Sequence, residues 1–321
     1  MSTKPSDYRY VFLDQNHWIY LAKDYWGKPD LPRHSGVAKK LLRAVEADRV
    51  RLPLNTIHLI ECLRRSDEDA RKRLAEVFEV YSRGWFCAAP SDILPLELRR
   101  AVRELYGNVD GEILPVFGLG FMFGIGVGGR AMLRQSVSDF DAIAGLSALP
   151  GMLFDLLTSE NETNRRHQNT EIAKIGQRDA SAAESLRAVR KPSPKATHRL
   201  AQYANYTYEL QKELTLALVP FGKSLEEFFA LGPEQLAAFW ATVPSLDVDC
   251  ELSLYRDRQW SRQVSANDTA DLGHLTIAVP YCDAVVVERF WKRALTETRL
   301  GQKYRTTVFS DNTELVDTLR S

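Results

Sequence analysis

Apolar residues recur with two periods along this chain, and the change of period divides it. Tyr10-Val11-Phe12-Leu13 is a continuous apolar run that stops at Asp14, which predicts a short buried strand. A helix is expected over 18–23. Val37, Leu41, Leu42 and Val45 stand at helical spacing and predict a second helix over 34–48. A strand at 50–54 follows, then Asn55 as N-cap of a helix over 56–65, an amphipathic helix over 67–83 and a short strand at 85–87. From about 91 to 255 the pattern is mostly helical, with helices at 96–106, 130–157, 161–190, 196–218 and 223–241. The strand–helix rhythm returns with a helix from 267 to about 281, a strand at 284–287, a helix at 288–300, a strand at 306–309 and a closing helix from Asp311.

Strands alternating with helices at both ends imply an α/β fold with a parallel sheet. The expected organisation is one α/β domain in two parts, 1–90 and 261–321, interrupted by a mostly helical insertion over 91–260. Lys191-Pro192-Ser193-Pro194-Lys195 is the clearest loop.

Acids sit where such a sheet collects ligands, beyond the carboxyl ends of strands. Asp14, Glu288 and Asp311 each follow a predicted strand directly. Glu61 lies two turns into the helix after the second strand, Asp271 in the first turns of the helix before Asp283, and Asp283 just ahead of the Ala284–Val287 run. Two carboxylates ~4 Å apart repel by roughly 4 kcal/mol at an effective dielectric of 20. A hard divalent cation, Mg²⁺ or Mn²⁺, would relieve that repulsion and activate water toward a phosphodiester. Each acid also has a plain structural use. Asp14 could cap the first helix, Glu61 could pair with Arg65, Asp283 could make a turn, and Glu288 could open a helix. Asp268 reads as a helix cap beside Asn267, and Asp311 with Glu314 reads as a capping box. His17, His58 and His274 each stand three residues from one of these acids, a spacing that suits a supporting hydrogen bond better than metal ligation.

Charge changes the picture little. Lys+Arg and Asp+Glu both number 42, so nucleic-acid binding must come from local patches rather than a global field. Arg187, Arg190, Lys191, Lys195 and Arg199, followed by Tyr203, Tyr206 and Tyr208, make the candidate patch. Four scattered cysteines without a C-x-x-C pair, and a polar Met1–Pro5 start, fit a reduced, cytoplasmic setting. The apolar run at 113–129 is glycine-rich and short for a membrane span, so no membrane association is expected.

The run Val11-Phe12-Leu13-Asp14 with Asn16-His17-Trp18, then Asn55-x-x-His58-x-x-Glu61, Asp271-x-x-His274 and the stretch from Asp283 to Glu288, resembles a divergent PIN-like domain. That resemblance implies a three-layer α/β/α sandwich with a central parallel sheet and Mg²⁺- or Mn²⁺-dependent cleavage of RNA, usually single-stranded. Many members are toxins of toxin–antitoxin pairs, and others act in RNA processing or phage defence. Carried across, the four family acids fall on Asp14, Glu61, Asp271 and Glu288, with Asp283 in reserve for one of the last two. Asn16, His17, Asn55, His58 and His274 would support them. Glutamate at 288 departs from the aspartate usual there. An antitoxin or defence protein, or a second copy of the chain, would be the partner.

Three other readings compete. Gly124 to Gly129 matches G-x-G-x-x-G, but it lacks a clean strand before it, so a loop or close helix packing explains it better. A haloacid-dehalogenase-type phosphohydrolase would want a second aspartate two residues after Asp14, where Asn16 stands. A catalytically inactive PIN-like scaffold, binding a partner through the helical segment, would not need acids at all four positions.

Overall fold

A computed structural model describes residues 9–107, 113–136, 140–159 and 162–319. The fold is mixed α/β and mostly helical, with a four-stranded parallel sheet. By backbone proximity the chain forms two units. Unit 1 comprises 1–89, 116–174 and 277–321, and unit 2 comprises 90–115 and 175–276. The sequence pattern drew its boundaries at 91 and 261, whereas residues 116–174 fall in unit 1 and residues 261–276 in unit 2.

In unit 1, strands β1 (Arg9–Leu13), β2 (Val50–Arg51), β5 (Ala284–Val286) and β6 (Thr307–Phe309) lie in the order β2-β1-β5-β6. All three pairings are parallel, with Val11 opposite Ala284 and Val285 opposite Val308. Over residues 11–13 of β1 and along β5, successive residues, which point to opposite faces of the sheet, are both apolar and buried. Phe12, Leu13, Val285 and Val286 are fully buried. Strands β3 (Trp85–Cys87) and β4 (Phe117–Leu119) form an antiparallel pair, attached to the chain after β2 through the bridge Leu54–Phe86.

Helix Gln15–Tyr25 starts one residue after β1 and buries Trp18 and Leu21. Helix Glu68–Ser82 packs against it, with the rings of Trp18 and Phe78 edge to face at 5.1 Å. Glu79 from the same helix accepts from the backbone N–H groups of Gly151 and Phe154, so its carboxylate caps helix Met152–Thr158. The expected continuous helix over 130–157 is interrupted between Leu146 and Met152, where Gly151 takes a left-handed φ of +88°. The glycine run lies within helix Phe121–Ser136, kinked at Gly126 with φ +77°. A Cβ on Gly124 would stand 2.5 Å from the Phe86 ring, so close packing accounts for that glycine.

Among its described residues, unit 2 is built of helices joined by short loops and contains no strand. Leu98, Val102, Tyr206, Leu214, Phe228, Trp240 and Leu254 form its core. Buried Glu97 accepts from both the N–H and the hydroxyl of Ser245, supporting the start of helix Pro244–Asp257. Among the described residues no helix is long and apolar enough to cross a membrane.

Candidate active site at the carboxyl edge of the sheet

Because β1 neighbours β2 on one side and β5 on the other, the strand order reverses between β1 and β5, and a crevice opens beyond their carboxyl ends. Asp14 leaves β1 at that point. Its backbone N–H donates to Val286 O at 3.0 Å, continuing the ladder. Its side chain, 6% exposed, caps helix Gln15–Tyr25, with Oδ1 accepting from His17 N at 3.1 Å. Oδ2 accepts from the backbone N–H of Glu288 at 3.0 Å. Glu288 leaves the adjacent strand and N-caps helix Arg289–Glu297 by position, without a side-chain cap bond. Its Oε1 accepts from Asn16 Nδ2 at 2.5 Å.

His17 is buried beside this pair, with Nε2 3.9 Å from Asp14 Oδ1. Asn312 holds the His17 carbonyl at 2.9 Å. Asn16, His17 and Glu288 border a cleft of about 720 Å³ that continues over Tyr20, His34, Arg289 and Asp311, with the Asp14 carboxylate buried behind Glu288 N. Asp311, at the end of β6, accepts from His34 Nε2 at 3.2 Å, from Arg33 Nε at 3.1 Å, and from both the N–H and hydroxyl of Thr313 at 2.9 Å. Burial alone would raise its carboxyl, but the Thr313 and His34 hydrogen bonds outweigh it and hold Asp311 down at about 2. The expected capping box divides here. Asp311 caps helix Asn312–Thr318, while Glu314 turns to Lys292 Nζ at 2.8 Å and the Ser310 hydroxyl at 2.9 Å. That ammonium keeps Glu314 below the usual carboxylate range.

No family model, curated protein or solved structure matches this chain.

The other expected site residues fall in different places. His58 is fully buried, and its Nδ1 accepts from Asn55 N at 3.1 Å. Nε2 therefore carries the proton and donates to Leu13 O at 2.9 Å, which pins helix Thr56–Leu63 to the end of β1. Glu61 is half-buried one turn further along this helix. Asp283 lies at the opposite edge of the sheet. Its Oδ2 accepts from Tyr10 N at 2.9 Å where β5 begins, and five residues of extended chain put it roughly 16 Å from Glu288. It cannot share a cation with Asp14 there. Asp271, half-buried, and His274, fully buried, belong to unit 2. Asp268 is bidentate with Arg262 and accepts from Ser265 N while Ser265 Oγ accepts from Asp268 N, so Ser265 rather than Asn267 caps helix Ala266–Tyr281 and Asp268 completes the box.

The expected basic patch is largely turned inward. Arg187 donates to the carbonyls of Asp257, Gln259 and Arg262, and Arg190 to Asp257 Oδ2 at 2.8 Å; both side chains are about 5% exposed. Arg199 pairs with Glu251, and Lys191 Nζ lies 5.9 Å from the Trp260 ring centre. The Lys195 side chain and the Met1–Pro5 start lie outside the described residues.

The pattern reading missed Arg33, His34 and Arg289 as cleft residues. Asp311 following β6 was the available signal, since an acid after a third parallel strand lies on the same edge as Asp14 and Glu288.

A hard cation suits the donor set of this edge. Mg²⁺ keeps several waters and is commonly held by one or two carboxylates plus substrate phosphate. Each carboxylate oxygen of Asp14 has two lone pairs, one of them engaged by a backbone N–H, and Glu288 Oε2 has no hydrogen-bond partner among the described residues. Among those residues no group of three or more His, Cys, Asp or Glu side chains is assembled as a metal cage.

Proposed function

We propose that unit 1 is a PIN-like α/β/α domain and that the protein is a Mg²⁺- or Mn²⁺-dependent endoribonuclease. The observation that carries this is the joining of Asp14 and Glu288, from the two ends of the chain, at the point where strand order reverses. When bound, the cation would supply a polarised phosphoryl oxygen and an activated water. Asp14 would hold it from a carboxylate fixed by two backbone N–H groups, and Glu288 from a carboxylate oriented by Asn16. His17, buried beside Asp14, would accept or return a proton within the cleft. Glu61 lies one turn beyond His58 on the helix pinned to the end of β1, and among the described residues it is not assembled with Asp14 and Glu288 into a group of three. Asp271, carried by helix Ala266–Tyr281, lies in unit 2. A toxin or phage-defence effector would suit such an activity, with an antitoxin or other protein as its regulator.

An inactive scaffold is the competing reading. Asp14 already serves as an N-cap and as a tie to Glu288, and that role needs no cation. Cleavage of a mixed RNA pool with Mn²⁺, Mg²⁺ or EDTA separates the two. Metal-dependent cleavage by the wild type and its loss in Glu288→Gln support the nuclease. No cleavage under any metal leaves the scaffold.

A further inference from the structure

Arg187 and Arg190 of the patch expected to hold RNA are folded inward, so a grip on a strand is sought elsewhere as well. A second cleft of about 340 Å³ in unit 1 has the chemistry for it. Its floor is apolar, made of Ile19, Ala22 and Leu74, and Trp26 stands at its side, 42% exposed. The Trp26 ring is braced edge-on by Tyr25 at 5.7 Å and 84°. Lys23, Lys28, Arg65 and Arg73 supply four cations, against the single carboxylate of Asp30.

These cations are not equivalent. Lys23 is bound to both oxygens of Asp30 at 2.8 Å and so serves to fix the loop after helix Gln15–Tyr25. Arg73 and Lys28 are exposed and have no acidic partner among the described residues. An exposed indole beside an apolar floor and unneutralised cations suits a flat, apolar-faced group that carries negative charge. A nucleotide has that form, with the base stacking and the phosphates meeting Lys and Arg. An acidic peptide would use the cations but gain little from the indole. Asp30 also lines the cleft that holds Glu288 and His17, so the two clefts share a rim.

We propose that this cleft is a subsite for one nucleotide of a single-stranded nucleic acid whose neighbouring segment enters the cleft lined by His17 and Glu288. Trp26 stacks a base, and Arg73 and Lys28 take the flanking phosphates. The inference rests on the nuclease reading for its choice of ligand, but binding can be measured separately from cleavage.

The test is the fluorescence anisotropy of a labelled single-stranded oligoribonucleotide, in EDTA so that nothing is cut. Wild type is compared with Trp26→Ala, with Lys28→Glu/Arg73→Glu, and with Lys212→Glu in unit 2 as control. All four changes are at exposed side chains, and each protein is checked by its thermal unfolding. Trp26→Ala is expected to weaken binding about tenfold. The double variant is expected to weaken it more, and to reduce the slope of log affinity against log salt by about 0.7 for each phosphate no longer neutralised. Lys212→Glu should bind as wild type. Equal affinity in all four proteins, or equal loss in the control, overturns the subsite. So does competition by polyglutamate as effective as by unlabelled oligoribonucleotide, which would make this an acidic-peptide site. Binding of a mononucleotide as tight as of the oligonucleotide would also overturn it, since no strand would then be engaged. Oligonucleotide bound through Trp26 but never cut under any metal would sink the nuclease and keep the subsite. Cleavage and binding indifferent to Trp26, Lys28 and Arg73 would do the reverse.

Discussion

The Glu288 N–H donates to Asp14 Oδ2 at 3.0 Å, joining residues 274 positions apart in the chain. Asp14 Oδ1 meanwhile accepts from His17 N, so both oxygens of one carboxylate face N–H donors. An amide in its place must turn its NH₂ toward one of them. Asp14→Asn is thus expected to lower unfolding free energy by about 1–3 kcal/mol, the cost of a buried donor left facing a donor. Urea melts measure this. The loss of cleavage expected from Asp14→Asn is to be compared at equal folded protein, since a variant as stable as wild type would contradict the bonding described.

Glu288 gives the cleaner separation of stability from chemistry. It is exposed, and glutamine keeps an oxygen to accept from Asn16. Glu288→Gln should therefore leave the melting curve within about 0.5 kcal/mol of wild type. Cleavage in Mn²⁺ is expected to fall by more than about 100-fold, beyond the loss typical of a group that only supports a metal ligand. Unchanged cleavage would remove Glu288 from the site.

Asp311 provides a pH signature. Its carboxyl is held at about 2, against an ordinary value of 3.8, because the Thr313 and His34 bonds outweigh burial. A depressed folded-state value means the unfolded chain takes up its proton first as pH falls. The stabilisation is thus full above pH ~4 and is lost on descending toward pH 2. Asparagine remains a good N-cap. Asp311→Asn should be less stable than wild type by about 1–2 kcal/mol at pH 5, with the difference shrinking toward zero near pH 2. Urea titrations at several pH values would show it. A constant difference would mean that the charge contributes nothing.

How much of this edge was legible depended on strand direction. Asp14 and Glu288 each end an apolar run, so in a parallel sheet they must share the carboxyl edge, and they do. The same logic excludes Asp283, which precedes β5 and therefore sits beside Tyr10 at the amino edge. The sheet itself was legible because buried parallel strands are continuously apolar and their ends carry the polar residues. Strand β4 was not, since Phe117-Gly118-Leu119 beside Pro115 and further glycines carries no period at all. Arg187 and Arg190 show a further limit. Their neighbours are polar, as on a solvated helix, and only tertiary packing reveals that their guanidinium groups meet buried carbonyls and Asp257.

Those two arginines yield the last prediction. Asp257 is 2% exposed and is held by Arg190 on Oδ2 and by Arg256 on Oδ1, at 2.8 Å each. Removing one partner of a buried ion pair leaves charge uncompensated, typically at 3–5 kcal/mol. Arg256 still neutralises part of Asp257, so Arg190→Ala should cost about 3 kcal/mol, at the lower end of that range. Arg199, half exposed and paired with Glu251, should cost less than about 1 kcal/mol on replacement by alanine. If these residues were instead a phosphate-binding surface, Arg190→Ala would keep its stability and lose RNA affinity with a shallower salt dependence. Paired unfolding and binding measurements on the two variants distinguish the outcomes, and the inward geometry requires that Arg190→Ala lose stability.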